Sequence, residues 1–191
     1  MLNRLFLATA AFALAATTAF AANPQVELDT SAGVIKVELF PDAAPKTVAN
    51  FLDYVNAKFY DGMQFHRVIA GFMIQAGGFT PEFSQKPTRP PVPIEAESAS
   101  KAGLTNVPGT LAMARTNDPN SATSQFFINV NDNKSLNYAP GNPGYTVFGK
   151  VIAGMDVVNK IAKSATGKGG PFPQDVPVEK VIIKSAKVVT P

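Results

Sequence analysis

Short runs of alternating apolar and polar residues, cut every few positions by glycine or proline, fill most of this chain. Only two stretches carry a helical period. In Gln25 to Thr30, Val26 and Leu28 alternate with polar neighbours; Ser31-Ala32-Gly33 interrupts, and Val34 to Leu39 alternates again, which predicts a β-hairpin. Further short strands are predicted over Gln64 to Ile69, Phe72 to Gln75, Gly109 to Ala114, Gln125 to Asn129, Thr146 to Val151 and Val181 to Val189. From Lys46 the period changes. Val48, Phe51, Leu52 and Val55 form the stripe of an amphipathic helix, with Pro45 at its start and Asp61-Gly62 beyond it. A second helix is predicted from about Met155 to Lys163. Thr80 to Pro93 holds too many prolines for a sheet and reads as a loop, and Gly167 to Pro177 reads as a Gly- and Pro-rich connection. With 191 residues, 46% of them hydrophobic and 16% charged, the chain can bury one full core. No repeat and no linker divides it. A single mainly-β domain follows, and the pattern leaves barrel and sandwich both open.

The first segment reads differently. Arg4 precedes an apolar run from Leu5 to about Ala16, and Ala19-Phe20-Ala21 has the small-x-small form of a signal-peptidase site. The run is short for a bilayer span. We therefore expect residues 1–21 to be a cleaved export signal, cut after Ala21 or Ala22, with 22–191 as the folded domain. No later stretch approaches a membrane span, so no membrane association is expected after cleavage. An exported chain without cysteine suits a bacterial periplasm, or secretion if the source is not Gram-negative.

Composition excludes several chemistries. With no cysteine there is no disulfide scaffold, thiol nucleophile or thiolate zinc site. One histidine rules out a multi-His metal site, and no metal or other cofactor is expected. The 17 Lys and Arg are scattered, so the net charge of +3 does not point to nucleic acid. A Ser-His-Asp hydrolase would have to use His66, which lies between Phe65 and Arg67 in a predicted strand with no nucleophile elbow in the chain. Gly167-Lys168-Gly169-Gly170 lacks the spacing of a phosphate loop. The carboxylates Asp29, Glu38, Asp42, Asp53 and Asp61 are dispersed along the chain rather than paired.

The informative stretch is Phe65 to Gly78, FHRVIAGFMIQAGG. Alternation places Arg67 on a face with Phe65 and Ile69, and Met73 on a face with Gln75. Taken singly, each residue is explained by an outward arginine or by core packing. A second segment, Gln125-Phe126-Phe127-Ile128-Asn129, adds another glutamine beside aromatics. Together they supply an apolar hollow with one cation and two amides, the composition of a binding pocket.

The run FHRVIAGFMIQAGG, followed in order by GTLAMA, SQFFINV and YTVFGKV, resembles the cyclophilin-type peptidyl-prolyl cis-trans isomerases over about Gln25 to Val188, in the style of exported bacterial members. The resemblance implies a closed eight-stranded antiparallel β-barrel capped by two helices. It places the family's catalytic arginine on Arg67, and the apolar wall for the substrate proline on Phe72, Met73, Phe127 and Leu136. Gln75 matches the glutamine that binds substrate backbone and helps orient the arginine, while Ala114 and Gln125 match further groove positions. Arg115 falls where the family uses main-chain groups, so its side chain is expected to be dispensable. Two departures stand out: Ser135 where many eukaryotic members carry tryptophan, and Tyr145 where they carry histidine. Both predict weak cyclosporin binding. The implied partners are proline-containing unfolded or partly folded polypeptides, handled by a monomer. The alternative reading is a proline-peptide-binding chaperone that uses the same groove without catalysis.

Overall fold

The computed structural model describes residues 22–189; the predicted export signal over residues 1–21 lies outside them. The predicted hairpin forms as β1 (Gln25–Thr30) and β2 (Gly33–Leu39). Thr30 closes its turn: Oγ1 accepts from the Ala32 and Gly33 N–H groups at 3.1 and 3.2 Å and donates to the Gly33 carbonyl at 2.6 Å. Helix α1 (Pro45–Asn56) begins with proline at its first turn and buries Val48, Phe51 and Val55 of the predicted stripe, with Leu52 half-buried. Its free N–H groups are capped from far along the chain. Glu95 accepts from Lys46 N at 3.1 Å, Thr47 N at 2.8 Å and Thr47 Oγ1 at 2.7 Å, setting a carboxylate at the positive end of the helix.

The remaining elements are β3 (Arg67–Ile69), β4 (Met73–Ala76), α2 (Ala96–Lys101), β5 (Thr110–Met113), β6 (Phe126–Asn129), β7 (Val147–Ala153), α3 (Met155–Ala162), β8 (Thr166–Gly169), β9 (Phe172–Pro177) and β10 (Ile183–Val189). Eight strands form one antiparallel sheet in the order β10-β1-β2-β7-β5-β6-β4-β3. The expected closed barrel is corrected here. The sheet is curled but open, with β10 and β3 as its two ends. The gap is spanned by the isolated bridge Gln64↔Ile182 and by backbone bonds such as Phe65 N to Val181 O at 2.9 Å. The segment before β3 cannot extend that strand, because Gln64 is drawn aside to Phe79 O through its N–H (3.0 Å) and to Thr80 O through Nε2 (2.8 Å).

Three other expectations change. A short third helix, α2, appears where Ala, Ser and Glu offer no apolar stripe to read. The Gly- and Pro-rich connection is a two-stranded hairpin, β8–β9, outside the main sheet. Phe65 does not share the face of Arg67: it is fully buried in the main core, because regular alternation starts only at Arg67.

The sheet wraps a core centred on Phe51, with ring centroids of Tyr60, Phe126 and Phe148 at 5.2–5.3 Å. A second, smaller cluster of Met73, Ala112, Phe127 and Val147 lies on the opposite, outer face. Strand β6 feeds both. Phe126 and Ile128 enter the main core while Phe127 points to the outer cluster, as the two-residue period of a strand requires.

Candidate active site

Register builds the site. Arg67 on β3 pairs with Gln75 on β4, Gln75 with Phe127 on β6, and Phe127 with Ala112 on β5. A cation, an amide, an aromatic ring and a small residue thus form one row across four neighbouring strands. Two positions along, Met73 pairs with both Ile69 and Asn129. The turn between β3 and β4 closes with Phe72 N to Ile69 O at 3.0 Å, and Gly71 supplies the positive φ of +69° that this turn needs. Phe72 is thereby set in that turn, immediately before Met73.

The outer cluster surrounds a cavity of about 160 Å³ lined by Arg67, Phe72, Met73, Gln75, Ala114, Arg115, Phe127, Leu136 and Tyr145. Nine of the ten residues singled out in the sequence meet there. The tenth, Gln125, faces an adjoining hollow lined also by Gln75, Ala114, Arg115, Thr116, Ser121 and Thr123. Gln75 Nε2 donates to Gln125 Oε1 at 2.9 Å, so the two glutamines join the hollows. Ser135 lies outside both, on the 3-10 turn Lys134–Leu136.

Arg115 is more engaged than its sequence reading suggests. Nε and Nη2 donate to the Gly144 carbonyl at 3.1 and 2.8 Å, Nη1 donates to Thr116 O at 2.8 Å, and the guanidinium lies 4.5 Å from the Tyr145 ring centroid. Tyr145 in turn meets Phe127 edge-on at 5.7 Å. Gly144 has φ +65°, and a Cβ there would lie 2.5 Å from Tyr138 N, so the carbonyl is presented from a position only glycine fits.

Sequence reasoning missed the support beneath the apolar wall. Asn133 Nδ2 donates to Phe72 O at 2.8 Å and to Asn129 Oδ1 at 2.6 Å. Asn129 Nδ2 reaches Asn106 Oδ1 at 3.1 Å, and Asn106 Nδ2 reaches Leu136 O at 3.1 Å. Three buried asparagines therefore tie Phe72 to Leu136 through a satisfied polar chain. Asparagine in sequence signals a turn, so nothing local marks such a chain.

His66 stands apart from the cavity. It is buried between Phe79 and Phe172, with ring centroids at 4.8 and 5.6 Å, and burial lowers its pKa from the usual 6.5 to about 4, with the Arg67 charge adding to the effect. It is neutral at pH 7. Among the described residues no group of three His, Cys, Asp or Glu side chains is placed to hold a metal ion, and no helix is long and apolar enough to cross a membrane.

Residues 25–188 match the family model described as cyclophilin type peptidyl-prolyl cis-trans isomerase/CLD. The chain belongs to the cyclophilin-type peptidyl-prolyl cis-trans isomerases. This cyclophilin is 50% identical over 177 residues to peptidyl-prolyl cis-trans isomerase A of Dickeya dadantii, covering 93% of this chain and 88% of that one. It is 53% identical over 166 residues to peptidyl-prolyl cis-trans isomerase B of Escherichia coli, covering 85% and 98%. A crystal structure of a cyclophilin type isomerase from Cryptosporidium parvum superposes with a TM-score of 0.74 at 28% identity, covering 88% of this chain and 99% of that one. A second structure of that protein, in the presence of the dipeptide Ala-Pro, gives 0.73 at 29%, covering 87% and 99%. This cyclophilin is a peptidyl-prolyl cis-trans isomerase, with a mainly-β fold built on a curled eight-stranded sheet.

Proposed function

We propose that this cyclophilin accelerates rotation about X-Pro bonds in exported, unfolded or partly folded chains, with Arg67 as the catalytic cation and the outer cavity as the proline site. The observation that carries the assignment is the Arg67–Gln75–Phe127 row beside an apolar hollow. Amide resonance sets the uncatalysed barrier at ~18–20 kcal/mol, and isomerisation breaks no covalent bond. The reaction therefore calls for neither nucleophile nor metal. Twisting the amide localises the lone pair on the prolyl nitrogen, and a guanidinium donating to that nitrogen favours the twisted state over both planar ones. Lowering the barrier by ~7 kcal/mol corresponds to roughly 10⁵-fold.

Phe72, Met73, Phe127 and Leu136 would hold the ring while the preceding residue turns, and Gln75 would bind substrate backbone. Ala114, Arg115, Gln125 and Tyr145 extend the groove around it. The structure of a solved relative in the presence of the dipeptide Ala-Pro supports a proline-containing ligand. The N-terminal pattern over residues 1–21 supports export to a periplasm, and the absence of an indole at Ser135 supports weak cyclosporin binding.

Exchange NMR on a short X-Pro peptide tests the assignment. Protein should speed cis-trans exchange, and Arg67→Ala, still folded, should lose most of that effect. Peptide binding without any acceleration by the unsubstituted protein would favour a proline-binding chaperone instead.

A further inference from the structure

We propose that Asp175 on β9 is a positioning residue for the Arg67 guanidinium, and that the β8–β9 hairpin is the arm that presents it. This rests on the assignment of Arg67 as the catalytic cation. Strand β3 ends the main ladder, so Arg67 has a paired neighbour on one side only, Gln75 on β4. Gln75 gives one amide N–H to Gln125 Oε1 at 2.9 Å. On the open side β9 packs against β3, and Asp175 Oδ2 lies 4.0 Å from Arg67 Nε, the one ion pair of that guanidinium among the described residues.

Two features show that the hairpin is held in place and shaped around this residue. Phe172, three positions earlier on β9, stands between His66 and Phe83, at 5.6 and 6.2 Å, and meets Phe79 edge-on at 5.1 Å. The hairpin is thereby anchored next to the residue that precedes Arg67. Asp175 itself adopts φ +66° within a strand, a left-handed conformation that costs energy for any residue with a side chain and that Asp and Asn tolerate best. Glycine would meet that backbone without strain but would carry no charge.

The chemistry explains why a carboxylate suits this place. At Nε it addresses the inner edge of the guanidinium and leaves both terminal nitrogens to the substrate. Arg67 is 43% exposed and Asp175 23%, so the pair contributes little to folding. Its effect is to restrict the rotamers of a long side chain before the prolyl nitrogen develops its lone pair.

The test is turnover of an X-Pro peptide by Asp175→Asn, Asp175→Gly and Arg67→Lys, singly and as the Asp175→Asn/Arg67→Lys double variant, with thermal melts of each. Asn keeps the shape and the tolerance of positive φ, whereas Gly relieves the backbone. Both should lower kcat roughly tenfold with KM nearly unchanged, the mark of an interaction made in the transition state. In the Arg67→Lys background, where the planar fork is gone, Asp175→Asn should have almost no further effect. Full kcat in Asp175→Asn while Arg67→Ala is inactive would overturn the positioning role alone, and so would an equal drop in both backgrounds. Full activity in Arg67→Ala would remove the assignment on which the inference rests.

Discussion

Arg115 clasps the carbonyl of Gly144 with two nitrogens, Nε at 3.1 Å and Nη2 at 2.8 Å, while its plane lies over the ring of Tyr145, the next residue. One side chain thus fixes the backbone and the aromatic ring that close one side of the cavity. Arg115→Lys removes the fork and keeps the charge. It should raise KM for an X-Pro peptide about three- to tenfold and leave kcat within about twofold, since the contact shapes binding rather than the reacting bond. Steady-state kinetics on a peptide series would show this, and an unchanged KM would return Arg115 to the dispensable role read from the sequence.

Asn129 is fully buried and accepts from Asn133 at 2.6 Å while donating to Asn106 at 3.1 Å. Asn129→Ala strands both neighbours inside the protein. An unsatisfied buried group costs about 1–3 kcal/mol, so the variant should lose about 2–4 kcal/mol of stability. Urea unfolding measures the loss. Peptide affinity should fall with it, because Phe72 and Leu136 are held through this chain.

His66 makes stability pH-dependent. Its pKa is about 4 in the folded protein and about 6.5 when exposed, so the unfolded chain binds the extra proton between those values. Stability from this group is complete above about pH 6.5 and is lost as pH falls towards 4, by roughly 3 kcal/mol in all. His66→Phe should fold, retain turnover and flatten the stability difference between pH 7 and pH 4.5 relative to the unsubstituted protein. An identical pH slope in both would remove the group from the account.

Alternation and punctuation were enough to place the β1–β2 hairpin, helix α1 and the strand segments that carry Arg67, Met73, Gln75 and Phe127, because each is encoded by neighbours two to four positions apart. The same locality set the failures. Helix α2 has no apolar stripe, and its N-terminal neighbour Glu95 is defined by a hydrogen bond to Thr47, 48 positions away. The β8–β9 hairpin hides behind Gly and Pro that normally mark loops. The open sheet depends on Gln64 turning to Phe79 and Thr80.

The sequence alone determined a mainly-β domain and the family motifs that carry Arg67 and the apolar residues around it. Tertiary structure decided the rest: that Arg115 grips Gly144, that three asparagines join the pocket walls, and that Asp175 stands beside Arg67, 108 positions from it in the chain. Local pattern reports which face of a strand a residue occupies. Partners brought together by register and packing carry no local signature, since their contact energies arise only once the sheet has curled and the hairpin has docked.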